Sequence, residues 1–118
     1  MRAGRLAKAH QFQLAADTIE TILDDEEIAD AYITLCVHAG IAAADVICCA
    51  RLGRHHQGED HHGAVALLAS VDRTAANYLK RLLDMKTRAG YGATAAALAD
   101  QKRAGRAASA LVRAAERI

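Results

Sequence analysis

AYITLCVHAGIAAADVICCARL, residues 31–52, is the longest apolar stretch in a chain of 118 residues. As a helix it is apolar on nearly every side, which in a small protein marks the central element that other helices surround. Membrane insertion is disfavoured, because Asp45 alone costs about 3 kcal/mol at the bilayer centre while each strongly apolar residue gains only about 0.5 kcal/mol. We therefore expect a buried helix and no membrane association.

The composition favours one all-helical domain over residues 1–118. Alanine accounts for 29 residues, aromatic residues make up only 3%, and proline is absent, so long helices can pack closely on small side chains. The β-branched and aromatic runs that strands need are scarce. Three cysteines, two of them adjacent, cannot form a disulfide framework, and we find no signal peptide, so we expect a cytoplasmic protein.

Hydrophobic periodicity divides the chain into helices. The expected ranges are 2–23, 26–52, a short helix capped by Gly58 or Asp60 that runs to Val71, 73–87, and most of the remainder. Acidic residues at 24–27 place the first break, with Asp24 or Asp25 as N-cap, although one continuous helix is an alternative. Gly53 ends the second helix. We expect an up-and-down antiparallel bundle of four to five helices.

Charge is divided unevenly along the sequence. Residues 1–72 carry a net charge of −6 and residues 73–118 a net charge of +7, within a total of +1. The fifth helix carries a basic stripe on one face, formed by Lys102, Arg103, Arg106, Arg113 and Arg117. The asymmetry fits a nucleic acid, a second copy of the chain, or neutralisation within the bundle. Since so apolar a central helix needs covering, we expect a homodimer.

The polar segment 54–62, RHHQGEDHH, is the richest in reactive side chains. An imidazole exchanges protons near neutral pH and a guanidinium binds phosphate, so an arginine and a nearby histidine suffice to cleave a phosphodiester without a metal. His61 and His62 should lie in the first turn of the third helix, whose free amides attract anions, although Glu59 and Asp60 repel phosphate there. The alternative is an exposed connector without chemistry.

A metal site is a further alternative for the same segment. Its competent ligands are His55, His56, Glu59, Asp60, His61 and His62. Their spacing is poor, because adjacent residues on a helix point about 100° apart and neither an HExxH nor a paired CxxC motif is present. We expect no metal and no other cofactor.

Other polar positions have both a functional and a structural explanation. His38 and Asp45 interrupt the apolar second helix, where interior neighbours commonly satisfy such groups. Lys86 and Arg88 lie near the end of the fourth helix, where cations complement the helix dipole. Tyr91 can anchor the following turn or stack on a base. The cysteines are expected to be small buried hydrophobes.

Several features follow one another between Tyr32 and Gly92. They are an alanine-rich helix opened by Tyr32, a connector with Gly53, His56 and Gly58, the helix HHGAVALL at residues 61–68, YLKRLL at residues 78–83 and a closing RAGY at residues 88–91. This order resembles the HEPN superfamily, the higher eukaryotes and prokaryotes nucleotide-binding domains, which are small antiparallel helical bundles. The closing segment is similar to the arginine-x-x-tyrosine ending of many such domains.

The resemblance implies one of two functions. The first is a nucleotide- or RNA-associated module without catalysis of its own, with a nucleotidyltransferase as candidate partner and a phosphate-binding set of His56, Lys86, Arg88 and Tyr91. The alternative is a metal-independent, toxin-like endoribonuclease, in which Arg54 orients the scissile phosphate and His61 moves the proton. Such enzymes have four to six residues between the arginine and the histidine, which Arg54 with His61 satisfies and Arg51 with His56 satisfies as well.

Overall fold

Five α-helices make up the computed structural model, which describes residues 2–22, 25–58, 60–91 and 98–118 and, among them, the side chains of 2–21, 29–58, 60–86 and 99–118. They are α1 (Arg2–Ile22), α2 (Asp25–Leu52), α3 (His61–Ala69), α4 (Arg73–Tyr91) and α5 (Leu98–Glu116), with no strand in the described ranges. The predicted all-α bundle is confirmed, with separate first and second helices. The predicted N-cap of the second helix, Asp24 or Asp25, lies outside the described side chains.

The four long helices alternate in direction. Arg5 near the start of α1 pairs with Asp45 near the end of α2. Arg2 donates a hydrogen bond to the carbonyl of Ile118, the last residue of the chain, so α1 runs antiparallel to both α2 and α5. The first residues of α4 line a groove with the last residues of α5, which makes these two helices antiparallel as well. The short α3 packs mainly against α4.

Helix α2 is the centre of the bundle and contacts all four other helices. Nearly half of the buried apolar residues in the described part are alanines, and Val, Ile and Leu supply most of the others. Fully burying a leucine- or isoleucine-sized side chain stabilises a fold by about 1.5–3 kcal/mol. Ala29–Leu52 is long and apolar enough to cross a bilayer, but 67% of its most apolar window is buried inside the fold.

Two glycines set how closely the helices approach one another. A Cβ atom at Gly40 of α2 would lie 2.5 Å from Cδ1 of Leu82 and 3.2 Å from Cδ1 of Leu111. At Gly105 of α5 it would lie 2.5 Å from the hydroxyl oxygen of Tyr32. The side chains of α4 and α5 therefore reach the backbone of α2 at Gly40, where any larger residue would push them away.

The helix ends on either side of the polar connector follow the sequence prediction. Gly53 adopts φ +73° and ends α2, a backbone conformation that L side chains rarely adopt. Asp60 is the N-cap of α3, and its Oδ1 accepts a hydrogen bond from the amide of His62 at 3.1 Å. Asp72 caps α4 in the same way, by accepting from the amide of Ala75 at 2.9 Å.

The predicted end of the fourth helix is wrong by one turn. We expected α4 to end near Thr87, before Ala89 and Gly90, whereas it continues to Tyr91. A single glycine inside a helix costs only about 1 kcal/mol relative to alanine and does not by itself stop the helix. Helix α3 also ends slightly early, at Ala69, where Ser70 is the C-cap.

The close approach at Gly40 gives the first prediction. Gly40→Ala should lower the free energy of unfolding by about 1–3 kcal/mol, because its Cβ meets two fully buried leucines and overpacks the core. Gly4→Ala is the matched control: Gly4 is helical, has nothing within 4 Å of the added atom, and should gain up to about 1 kcal/mol. Urea unfolding of both variants measures the difference, and equal stabilisation by both would contradict the close approach.

Candidate functional site

The connector between α2 and α3, residues 53–60, folds back against the bundle. It leaves α2 at Gly53 and turns again at Gly58, which has φ +95°. Between these turns His55 and His56 are half-buried, whereas Arg54 and Gln57 are exposed. The connector therefore places two imidazoles against the helices instead of projecting all of its polar groups into solvent.

A cavity of about 830 Å³ lies beneath the connector. We call it the connector pocket, and four helices and the connector contribute to it. Its walls are Arg5 of α1, Ile41 and Asp45 of α2, His55, His56, Gln57, Gly58 and Asp60 of the connector, His61 and Ala64 of α3, and Leu83 and Lys86 of α4. Its volume is in the range of small-molecule sites, and its walls combine apolar side chains with converging polar groups.

Asp45 is the acidic group at the base of this pocket. Its side chain is only 13% exposed, its Oδ2 lies 3.3 Å from Nη1 of Arg5, and its Oδ1 lies 3.8 Å from Nδ1 of His55. Burial raises the pKa of Asp45 above its ordinary value, while the nearby charges of His55, Arg5 and His56 act to lower it. The carboxylate thus ties α1 and the connector to the central helix.

The tautomer of His55 follows from its own hydrogen bond. Its Nδ1 lies 2.9 Å from the carbonyl oxygen of His56, which can only accept, so Nδ1 carries the proton. In the neutral ring Nε2 is then the free acceptor, able to take a proton or a hydrogen bond from a ligand. Asp45 beside Nδ1 stabilises the ring when it is charged.

His56 packs against the first turn of α3. A Cβ atom at Gly63 would lie 2.6 Å from Cε1 of His56, so only glycine at that position admits the ring. The Nε2 atom of His56 is buried and has no hydrogen-bond partner among the described residues. A buried polar atom without a partner costs about 1–3 kcal/mol, so a ligand that supplies the missing hydrogen bond recovers that free energy.

On the opposite wall, Lys86 acts on His38 of α2, which is exposed. Its ring stacks on Phe12 with ring centroids 5.1 Å apart. Partial burial lowers the pKa of His38, and the ammonium charge of Lys86 lowers it further. His38 does not line the connector pocket, which supports a structural explanation for it. Lys86 lines the pocket and supplies a permanent positive charge there.

The structure places three of the predicted site residues in one cavity and a fourth in a neighbouring cavity that shares His56 with it. His56, His61 and Lys86 all line the connector pocket. Arg54 is exposed and lines a neighbouring cavity with His56 and Gly63 but without His61, so no described cavity holds both members of the predicted catalytic pair. Arg51, in the last turn of α2, is exposed as well.

Two predicted residues cannot be placed in the site. Arg88 and Tyr91 belong to the last turn of α4, but their side chains lie outside those that the structure describes. The expected anion site at the start of α3 is altered, because the Asp60 carboxylate already accepts from the amide of His62. The N-terminus of α3 is therefore capped by an acidic group, and only the side chains of His61 and His62 are left to contact a ligand there.

Three residues of the pocket were missed as site residues. Asp45 had a signal, since a carboxylate inside an apolar helix requires a partner. His55 was considered only as a metal ligand. The sequence does not show that its Nδ1 atom bonds to the carbonyl oxygen of His56 and that this bond orients the ring. Arg5 had no signal, since it lies forty positions from Asp45 in the sequence and only the packing of α1 on α2 brings the two together.

Metal ligation finds no support in the described part of the chain. No group of three or more His, Cys, Asp or Glu side chains among those residues is arranged to hold a metal ion. Glu59, one of the ligands considered from the sequence, lies outside them. Cys36 and Cys48 are poor metal ligands, because burial raises the pKa of Cys36 to about 12 and that of Cys48 to about 11, which disfavours the thiolate that metals bind.

No protein-family model and no curated protein matches the sequence. The function must therefore be argued from the pocket itself.

The effect of Lys86 on His38 gives the second prediction. Lys86→Met should raise the pKa of His38 part of the way to its ordinary value of 6.5, because the repelling charge disappears while the burial remains. An NMR titration of the imidazole proton measures this shift. Lys80→Met is the control, since Lys80 is exposed on the same helix and pairs with Asp84 at 2.9 Å. An unchanged His38 titration in Lys86→Met would contradict the placement of the ammonium group.

Proposed function

We propose that the protein is a HEPN-like helical bundle that binds a nucleotide, or the phosphate of an RNA, in the connector pocket and has no catalysis of its own. The observation that carries the proposal is the lining of that pocket, where Arg5, Lys86 and three histidines surround one cavity. Arg5 and Lys86 keep their positive charge at neutral pH, and imidazoles donate or accept hydrogen bonds according to their protonation.

The balance of charge in the pocket favours a nucleotide over a bare inorganic anion. Asp45 and Asp60 offset part of the positive charge, so a compact dianion has weaker attraction there than in a purely cationic site. Ile41, Ala64 and Leu83 supply an apolar wall on which a base or ribose can pack. The unpartnered Nε2 of His56 and the accepting Nε2 of His55 suit hydroxyl and phosphate oxygens.

The absence of catalysis is proposed because the predicted reaction needs both groups at one phosphate. Arg54 would have to orient the phosphate while His61 moves the proton, and these residues line different cavities. The homodimer and the nucleotidyltransferase partner stay predictions of the sequence and its HEPN resemblance.

Ligand binding is the third prediction. In calorimetric titration the protein should bind 5′-AMP at least tenfold more tightly than adenosine, because the phosphate meets Arg5 and Lys86. Lys86→Met should weaken 5′-AMP binding about tenfold, which corresponds to about 1.4 kcal/mol. Lys80→Met removes the same charge from the exposed face of α4 and should bind like the unmodified protein. Equal affinity for adenosine and 5′-AMP would refute a phosphate-binding pocket.

The catalytic alternative gives the fourth prediction. The protein, held in chelator at pH 6–8, should leave a single-stranded RNA intact, because Arg54 and His61 do not act on the same cavity. Cleavage that disappears in His61→Ala would establish the endoribonuclease instead. Growth inhibition on expression that His61→Ala relieves would point the same way.

A further inference from the structure

A second set of cations lies near the start of α4, away from the connector pocket. Helix α4 gives Leu83 and Lys86 to the connector pocket, whereas its first two turns give Thr74, Ala75 and Tyr78 to a separate groove of about 340 Å³. We call this the α4–α5 groove. Its remaining lining residues are Asp72, which precedes α4, Ala110, Arg113 and Ala114 of α5, and Arg117, which directly follows α5.

The shape of the groove follows from residue size. Alanines at positions 75, 110 and 114 form its floor, because their short side chains leave a depression where two helices meet. Tyr78 on one side and Arg113 and Arg117 on the other are long enough to form its walls. Both arginines are exposed, so their guanidinium groups are accessible to a ligand from solvent.

The charge of the groove is net positive. Among the described side chains, neither Arg113 nor Arg117 forms an ion pair, and Arg106, about two turns before Arg113 on α5, forms none either. Asp72 offsets part of this charge, and its Oδ1 also accepts a hydrogen bond from the amide of Ala75 at the start of α4. Along α5, the exposed cations of the basic stripe continue this positive surface.

An aromatic ring stands beside these cations. The guanidinium carbon of Arg81 lies 5.3 Å from the centroid of the Tyr78 ring, a cation–π contact that holds a third positive charge at the groove. Sequence analysis of α5 alone finds no aromatic residue between its basic residues, because the ring belongs to the neighbouring helix. Arginines beside a tyrosine are the combination by which proteins bind single strands, with charge on the phosphates and rings against the bases.

We propose that the α4–α5 groove binds single-stranded nucleic acid, with Arg113 and Arg117 on successive phosphates and Tyr78, with Arg81, against a base. Guanidinium groups bind phosphate oxygens through paired donors, and four of the five cations of the α5 stripe are arginines. Single strands are favoured over duplexes because only an unpaired base can turn its face to Tyr78. The groove is independent of the connector pocket, with which it shares no lining residue.

Fluorescence anisotropy with a 5′-labelled twelve-nucleotide uridine RNA tests this fifth prediction. The double variant Arg113→Ala/Arg117→Ala should bind at least tenfold more weakly than the unmodified protein. The slope of log affinity against log salt between 50 and 200 mM KCl should also fall by about 1.4, because two phosphate contacts are lost. Lys8→Ala/Lys80→Ala removes the same charge from exposed positions on α1 and α4 and should change the affinity less than threefold.

The aromatic residue is tested separately. Tyr78→Leu should weaken RNA binding about fivefold or more, whereas Tyr78→Phe, which keeps the ring, should bind like the unmodified protein. Thermal unfolding checks that Tyr78→Leu remains folded, since Tyr78 is half-buried. Equal binding by Tyr78→Leu and Tyr78→Phe at equal stability would overturn the role of the ring.

Further outcomes distinguish RNA binding in the groove from a contact between copies of the chain and from binding in the connector pocket. If Arg113→Ala/Arg117→Ala keeps full RNA affinity but halves the solution mass, the groove is a contact between copies of the chain and the proposal fails. If the protein binds no RNA, it fails as well. If 5′-AMP does not bind while RNA binding depends on Arg113, Arg117 and Tyr78, the connector-pocket function fails and the groove stands.

Discussion

The burial of α2, which over residues 29–50 leaves only one strip through Ala31 and His38 open to solvent, is the constraint on which the rest of the structure depends. A helix surrounded by α1, α4 and α5 needs small residues where its neighbours cross it. In α2 these residues are Gly40 and the buried alanines. Few aromatic rings are available, so the core gains its stability from close approach of helices. Close approach in turn fixes the relative positions of the side chains that line the surface cavities.

Enclosing α2 also forces the chain to accommodate Asp45. A carboxylate that is 13% exposed is costly unless it is paired and hydrogen-bonded. Arg5 and His55 partner it from α1 and from the connector, and this arrangement folds the connector back over the bundle. The connector pocket is therefore coupled to the packing of the core: the same acidic residue that interrupts the apolar helix gathers the basic groups around it.

Sequence reasoning reached the helices because their signals are local. Hydrophobic periodicity, Gly53 and the cap Asp60 are local features of the sequence. The predicted end of α4 was wrong because a glycine inside a helix is a weak stop signal. The site was only partly predictable. His56, His61 and Lys86 could be selected by residue type. Arg5 reaches the pocket only because α1 packs on α2, and hydrophobic periodicity does not predict how two helices are oriented relative to each other.

The α4–α5 groove could not be predicted either, because its residues come from two helices whose relative orientation the sequence does not give. Tyr78 lines the groove from α4 and Arg113 lines it from α5, so a search for aromatic residues on α5 alone does not find the ring. In the connector pocket, acidic and basic groups nearly balance, and selectivity there must come from directed hydrogen bonds in a partly enclosed cavity. In the groove, positive charge is in excess and exposed, so its attraction is long-ranged and screened by salt. A strand attracted to the groove by charge would contact the first two turns of α4, and a nucleotide bound in the pocket would contact Leu83 and Lys86 further along it. The same helix therefore contributes to both sites.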